Sequence, residues 1–165
     1  MSRIRRLAAD QSGASLVELA LVLPVFLALL IGTIQIAILE VMSVNFNNAV
    51  LEASRAIRTN NGPATTAAQF KQAICNEMAG RDTCLQKVKI AVQSFSNFDE
   101  AVKPPKIVGE PFDSGRAEQI VLVTATYSWP MLMPFAADSF PRAADGLHVE
   151  IVARTMFKNE PWWIG

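Results

Sequence analysis

The sequence begins with a short basic segment followed by a long uncharged one. Three arginines lie within the first six residues, and no ionisable side chain occurs from Leu19 to Leu39. A run of about 20 apolar residues is long enough to span the hydrocarbon core of a bilayer. The pattern therefore predicts one membrane-spanning helix over about residues 19–39.

The basic residues predict the orientation of this helix. Arg3, Arg5 and Arg6 precede the uncharged run, and the next Lys or Arg after it is Arg55. Because basic flanks stay on the cytoplasmic side of a membrane, we expect the N-terminus in the cytoplasm and the later residues on the opposite side.

A cleaved secretory signal also combines a basic start with an apolar core. Its apolar region usually covers about 7–15 residues and ends at a site of small residues. Here the uncharged run is longer and leads directly into further helical sequence. We therefore expect the hydrophobic segment to remain attached to the protein.

Helical periodicity continues beyond the predicted span. Glu40 and Glu52 occupy other faces, while apolar residues recur three or four positions apart at Leu39, Met42, Phe46, Ala49, Ala53 and Ile57. The segment Asn60-Asn61-Gly62-Pro63 is a strong stop signal. We expect a basic leader over 1–13, a helix over 14–60 whose outer half packs its stripe on the following domain, and that domain over 61–165.

The last segment has the pattern of a small α+β domain. Phe70, Ile74 and Met78 lie one helical turn apart, Thr66 and Gln69 have capping-box spacing, and Gly80 suits a helix end. Alternation of Val88, Ile90 and Val92 with polar residues predicts a strand. Further strands are predicted over about 118–129 and 147–157, so we expect a short helix and an antiparallel sheet of three or more strands.

Composition and chemistry exclude several functions. The 15 Lys and Arg residues balance 15 Asp and Glu, which gives no electrostatic case for binding nucleic acid. His148 is the only histidine, on a strand face with Glu150 and Arg154, and no glycine-rich phosphate loop or Cys-x-x-Cys motif occurs. We expect no enzymatic activity, no cofactor, no metal and no small-molecule substrate.

The two cysteines lie close in sequence. Cys75 falls in the last turns of the predicted short helix, and Cys84 follows the Gly80 turn. In an oxidising compartment the pair would form a disulfide, which stabilises a loop of this size by roughly 2–3 kcal/mol. The alternative is a reduced pair, if this domain faces the cytoplasm.

The border between leader and span carries a processing pattern. Gly13 is followed five residues later by Glu18, which directly precedes the uncharged run, as in type IV prepilins. Cleavage after Gly13 would give Ala14 a free amine, and the amine of a neighbouring subunit could pair with the Glu18 carboxylate. The alternative is a capping box, in which Ser15 and Glu18 bond to each other's backbone N–H groups.

These residues carry a resemblance to a known family. The stretch from Gly13 to Val25 resembles the N-terminal signature of TadE-like proteins, the pseudopilins of the tight-adherence (Tad, Flp, type IVc) pilus. Ala49–Ala56 approximates the family's Ala-rich stretch, with Ser54 where Ala is more frequent, and Phe157–Pro161 resembles its Asn-Glu-Pro ending.

The resemblance implies a minor pilin without enzymatic activity. It would be processed by a prepilin peptidase and would work with other pilins or pseudopilins in pilus assembly, initiation and adhesion. It would lie in the bacterial inner membrane as a single-pass protein, N-terminus cytoplasmic and C-terminal domain periplasmic, or enter a surface pilus.

Three positions within the span bear on helix packing. Pro24 removes a backbone hydrogen bond, so we expect a kink or local unwinding there, although a functionally neutral kink is an equal alternative. Ala28 and Gly32 form a small-xxx-small pair that allows close approach of a second helix. Such pairs also occur by chance in apolar helices.

Exposed apolar sequence suggests an interface. Tryptophan and methionine are enriched at protein interfaces, and tryptophan also at membrane boundaries. The candidate residues follow the second predicted strand and close the chain: Trp129, Met131, Met133, Phe135, Trp162 and Trp163. The alternative is that this loop and tail cover the end of the sheet.

Two functions remain from different classes. The first is a pilus assembly protein that is cut after Gly13. The second is an unprocessed, single-pass, membrane-anchored periplasmic binding module. The N-terminus of the mature protein distinguishes them.

Overall fold

The computed structural model describes residues 12–59, 66–78, 80–103, 107–131 and 148–161. Within these ranges the helices are α1 (Ser12–Thr59), α2 (Ala67–Asn76), α3 (Arg81–Lys87) and α4 (Phe98–Val102). The strands are β1 (Val88–Phe95), β2 (Ile120–Pro130) and β3 (His148–Lys158). The predicted α+β class, with a long apolar helix before a three-stranded antiparallel sheet, is confirmed. The leader residues 1–11 and the predicted stop at 60–63 lie outside the described residues.

The chain divides into two compact units, of which the first ends at Ile38 and the second begins at Leu39. In the first unit the large apolar side chains of α1 are exposed. Leu16 near its start is 70% exposed, and Ile38 at the end of this unit is 42% exposed. The helix is long and apolar enough to cross a membrane. These properties are compatible with a single-pass membrane protein.

The second unit begins with the outer part of α1, which buries the predicted apolar stripe. Leu39, Phe46, Ala49, Ala53 and Ile57 are buried, and Met42 packs against them. The buried set also includes Val50 and Ser54. The Ser54 hydroxyl donates to the Val50 carbonyl oxygen at 2.6 Å. This bond explains how serine occupies a buried position where alanine would otherwise fit.

Two short helices follow α1. Thr66 caps α2, because its hydroxyl oxygen accepts from the Gln69 backbone N–H at 3.3 Å, as the sequence predicts. Gly80 was predicted to end this helix, but α2 ends at Asn76 and Gly80 is the N-cap of α3, with φ of +79°. Such a φ is accessible to glycine without a steric penalty.

The sheet has the order β1-β2-β3, with both pairs antiparallel. The second and third strands agree with the predicted ones to within about two residues at each end, although Leu147 lies outside the described residues. Ala125 lies opposite Ile90 on one side and Ala153 on the other. Strand alternation places these side chains on one face, and they join the buried core that also contains Phe46.

A short helix that the sequence pattern did not reveal follows β1. Asp99 and Glu100 lie in the first turn of this helix, α4. Asn97 caps this helix by accepting from the Glu100 backbone N–H at 2.9 Å. Five residues are too few to show helical periodicity.

Candidate assembly site on the N-terminal helix

The predicted cleavage position lies at the start of α1. The helix begins at Ser12, so Gly13 and Ala14 belong to its first turn. Gly13 is exposed, and a Cβ built on it would meet no atom within 4 Å. No part of the described chain therefore covers the backbone at this residue.

Glu18 is a carboxylate on an apolar surface. It lies about 7.5 Å along the helix from Gly13, and its neighbours Val17 and Leu19 are 62% and 56% exposed. Glu18 is itself exposed, and its side chain makes no hydrogen bond or ion pair within the described parts of the chain. A carboxylate inside a membrane helix needs a partner, and the described residues supply none to the Glu18 side chain.

The capping-box alternative does not match the start of the helix. A capping box requires Ser15 at the N-cap, directly before the first helical residue. Instead α1 begins at Ser12, so Ser15 lies inside the helix and Glu18 lies beyond its first turn. Helix capping thus does not explain the position of Glu18.

The three predicted packing positions lie on the same helix. The helix continues through Pro24 without interruption, so the local unwinding considered for this residue is not observed. Ala28 is exposed. A Cβ on Gly32 would meet no atom within 4 Å, so the space beside this glycine is open in the single chain.

The comparison with known families concerns this helix. Residues 13–55 match a family model described as TadE-like protein. The chain carries a TadE-like N-terminal segment. The match supports a pilus-related protein of the Tad system, and the family is a structural component of pili and not an enzyme. Neither the curated proteins nor the solved structures contain a match.

The TadE-like segment covers the glycine–glutamate motif, the predicted span and most of the outer helix. It ends at Arg55, before α2 and the sheet begin. The family match therefore concerns the helix, and the domain after it has to be interpreted from its own structure.

The cysteines form the predicted disulfide. Cys75 and Cys84 are bonded, with their Cα atoms 5.6 Å apart, and both side chains are fully buried. The bond joins α2 to α3, and the Cys84 sulfur lies 3.8 Å from that of Met78. Its place within the core indicates a structural role.

Only part of the predicted aromatic and methionine surface lies in the described residues. Trp129 and Met131 are half-buried and pack against the core, and the Trp129 ring lies 6.2 Å from that of Tyr127. Met133, Phe135, Trp162 and Trp163 lie outside the described residues. His148 shares the outer face of β3 with Glu150 and Arg154, as expected from strand alternation.

Two residues near the C-terminus have roles that sequence reasoning did not assign. Asn159 is buried, and its side-chain amide donates to the carbonyl oxygens of Ser114 and Arg116 at 2.9 and 3.0 Å. Glu160 bonds to Arg58 at the end of α1. Both belong to the Asn-Glu-Pro ending that resembles the close of TadE-like proteins. In the structure this motif connects the helix end, β3 and the loop before β2.

Proposed function

We propose that this protein is a minor pilin of the Tad system that is cut after Gly13 by a prepilin peptidase. The mature chain begins at Ala14 and stays in the inner membrane with its C-terminal domain in the periplasm. From there it takes part in assembly or initiation of the pilus with other pilins or pseudopilins.

The observation that carries this proposal is the isolation of Glu18. Its carboxylate is exposed among apolar side chains and has no partner in the described chain. The TadE-like match begins at Gly13, the residue before the proposed cut. A partnerless acidic residue in a membrane helix marks a functional site, and assembly supplies the partner that the single chain lacks.

The proposed partner is the α-amino group of a neighbouring subunit. Cleavage creates this amine at Ala14, and its usual pKa of about 7.7–8.0 leaves it largely cationic at neutral pH. Ala14 and Glu18 lie one helical turn apart. A neighbour offset along the helix axis by about one turn therefore brings its amine to the Glu18 carboxylate, where low dielectric strengthens the attraction.

Gly32 supports close packing of that neighbour. It lies two heptads after Glu18, which places the two residues about 40° apart around a regular helix. The open space at Gly32 is thus near the same face as Glu18. Absence of a side chain there allows two helix backbones to approach each other.

The test compares two acidic residues of α1. Glu18→Ala should leave membrane insertion intact but reduce recovery of the protein with its partner pilins by about tenfold, as expected for loss of one ion pair at low dielectric. Glu40→Ala is the matched control, because Glu40 is also exposed on α1 and also makes no ion pair in the described chain. Equal recovery of the Glu18 variant and the control would overturn the pairing proposal.

A further inference from the structure

The outer part of α1 has a second row of apolar side chains on the side that faces away from the core. Val41, Val44 and Leu51 are 59%, 56% and 51% exposed, and the exposed Asn48 lies between them. Leu51 lies about 16 Å along the helix from Glu40, which ends the uncharged run, so the row extends beyond the predicted span. Exposed apolar side chains in adjoining positions are typical of an interaction site.

The spacing of these four residues is that of a coiled-coil seam. Val41, Val44, Asn48 and Leu51 occupy successive a, d, a and d positions of a heptad. The f positions of the same heptads hold Phe46 and Ala53, which are buried in the core of the second unit. One side of this helix segment therefore packs on its own domain, while the opposite side has the pattern that a second helix requires.

Asn48 indicates which helix completes the seam. Its side-chain amide has both donors and an acceptor, and it makes no hydrogen bond within the described residues. A single asparagine at an a position specifies the register and the number of strands in a coiled coil. A second copy of this chain in parallel register supplies an asparagine at the same level, so that the two amides can bond to each other.

The structure leaves space for a second helix beside the seam. An open groove of about 790 Å³ lies between α1 and the end of α2, and its lining includes Asn48, Leu51 and Glu77. No ionisable side chain occurs from Val41 to Leu51. A second copy can therefore approach this part of the helix without bringing like charges together.

We propose that two copies of this chain pair through a parallel coiled coil of their outer α1 segments, with Val41, Val44, Asn48 and Leu51 as the seam. Anchoring in one membrane gives both helices the same direction and raises the effective concentration of each for the other. A seam of about 15 Å is then sufficient. Arg55, at the next a position, ends the seam, because two arginines would face each other there.

This inference deepens the assembly proposal, because it names a second copy of the chain as one partner. It rests on the membrane anchoring proposed above. It uses neither cleavage after Gly13 nor pairing of Glu18, so an uncut anchored chain would form the same pair.

Crosslinking through an introduced cysteine tests the pair. Cys75 and Cys84 are the only cysteines of the chain and are bonded to each other, so an added cysteine is the only free thiol. The full-length Val44→Cys variant is oxidised in isolated membranes, and its products are separated by electrophoresis without reducing agent. A disulfide requires Cα atoms within about 7 Å of each other, which facing d positions of two packed helices provide.

The matched control places the same substitution on another element of the domain. Val102 lies on α4 and is 68% exposed. Val44→Cys should give about fivefold more covalent dimer, of twice the mass of the chain, than Val102→Cys, because only Val44 lies on the seam. Equal yields of dimer, or crosslinks only to chains of another mass, would overturn the pair and leave cleavage and the pairing of Glu18 unaffected. Absence of the protein from the membrane fraction would overturn the anchoring itself.

A second pair of variants tests the role of Asn48. Asn48→Asp, added to Val44→Cys, places two carboxylates opposite each other and should lower the yield of dimer about tenfold at neutral pH. Asn45→Asp makes the same change at the flanking e position, where the two side chains do not face each other, and should lower the yield less than about twofold. Equal yields from the two aspartate variants would overturn the assignment of Asn48 to the seam.

Discussion

Glu160 contacts Arg58 twice at the end of the long helix. Its backbone N–H donates to the Arg58 carbonyl oxygen at 3.0 Å, and its carboxylate lies 3.5 Å from the Arg58 guanidinium. The last carbonyl groups of a helix lack partners within the helix. The C-terminal motif supplies one, and it thereby attaches the segment that follows β3 to the end of α1.

Asn159, the buried residue of this motif, should contribute more to stability than Glu160 does. Asn159→Ala removes two hydrogen bonds and leaves the Ser114 and Arg116 carbonyl oxygens without their amide donor. We expect the free energy of unfolding to fall by about 2–3 kcal/mol. The measurement is denaturant unfolding of the full chain in detergent, followed by circular dichroism.

Glu160→Ala is the control for that variant. The Arg58–Glu160 side chains are about half exposed, so solvent screens their attraction, and the loss should stay below about 1 kcal/mol. The backbone bond of residue 160 is retained. Equal losses of stability in the two variants would contradict the prediction that Asn159 contributes more than Glu160.

The disulfide should stabilise the second unit. Replacing Cys75 and Cys84 together by alanine should lower the free energy of unfolding by roughly 2–3 kcal/mol. A reducing agent should destabilise the wild-type protein in the same denaturant titration and leave the double variant unchanged. An unchanged midpoint for reduced wild-type protein would show that the bond contributes nothing measurable.

We expect the protein to lose stability at alkaline pH because of the buried Tyr127. Burial raises the pKa of its hydroxyl above the usual 10.0, because desolvation disfavours the phenolate. The unfolded state then releases its proton first, so this contribution is fully present below pH 10 and declines as the pH rises above it.

The Tyr127→Phe variant isolates this contribution. It should flatten the decline in stability between about pH 9 and 11 relative to the wild type, since phenylalanine has no proton to release. Thermal unfolding at a series of pH values measures the slope. An identical alkaline slope in both proteins would exclude Tyr127 as its source.

Elements with a long and regular pattern could be predicted from the sequence. The helix α1 has an uncharged run and then a buried stripe from Leu39 to Ile57, and β3 alternates buried residues with more accessible ones from Val149 to Ala153. The cysteine pair was predictable because Cys75 and Cys84 are separated by nine positions, so that one turn brings them together.

Other features depend on contacts between distant residues. Asn159 bonds to Ser114, which precedes it by 45 positions, and no local pattern marks such a pair. Helix α3 is absent from the sequence prediction because its seven residues are too few for a clear period. The proposed pairing of Glu18 rests on chemistry, because the structure of one chain does not contain a second subunit.

The central claim is that the chain is cut after Gly13, and the intact mass of the native protein tests it most directly. Protein from cells with an active prepilin peptidase should have lost residues 1–13 and begin at Ala14, whereas cells without the peptidase should retain them. Gly13→Val should block the cut, while Gly32→Val, at a second glycine of the same helix where a Cβ would meet no atom within 4 Å, should leave it intact. Full-length protein in cells with an active peptidase would contradict the account and support an uncut membrane anchor.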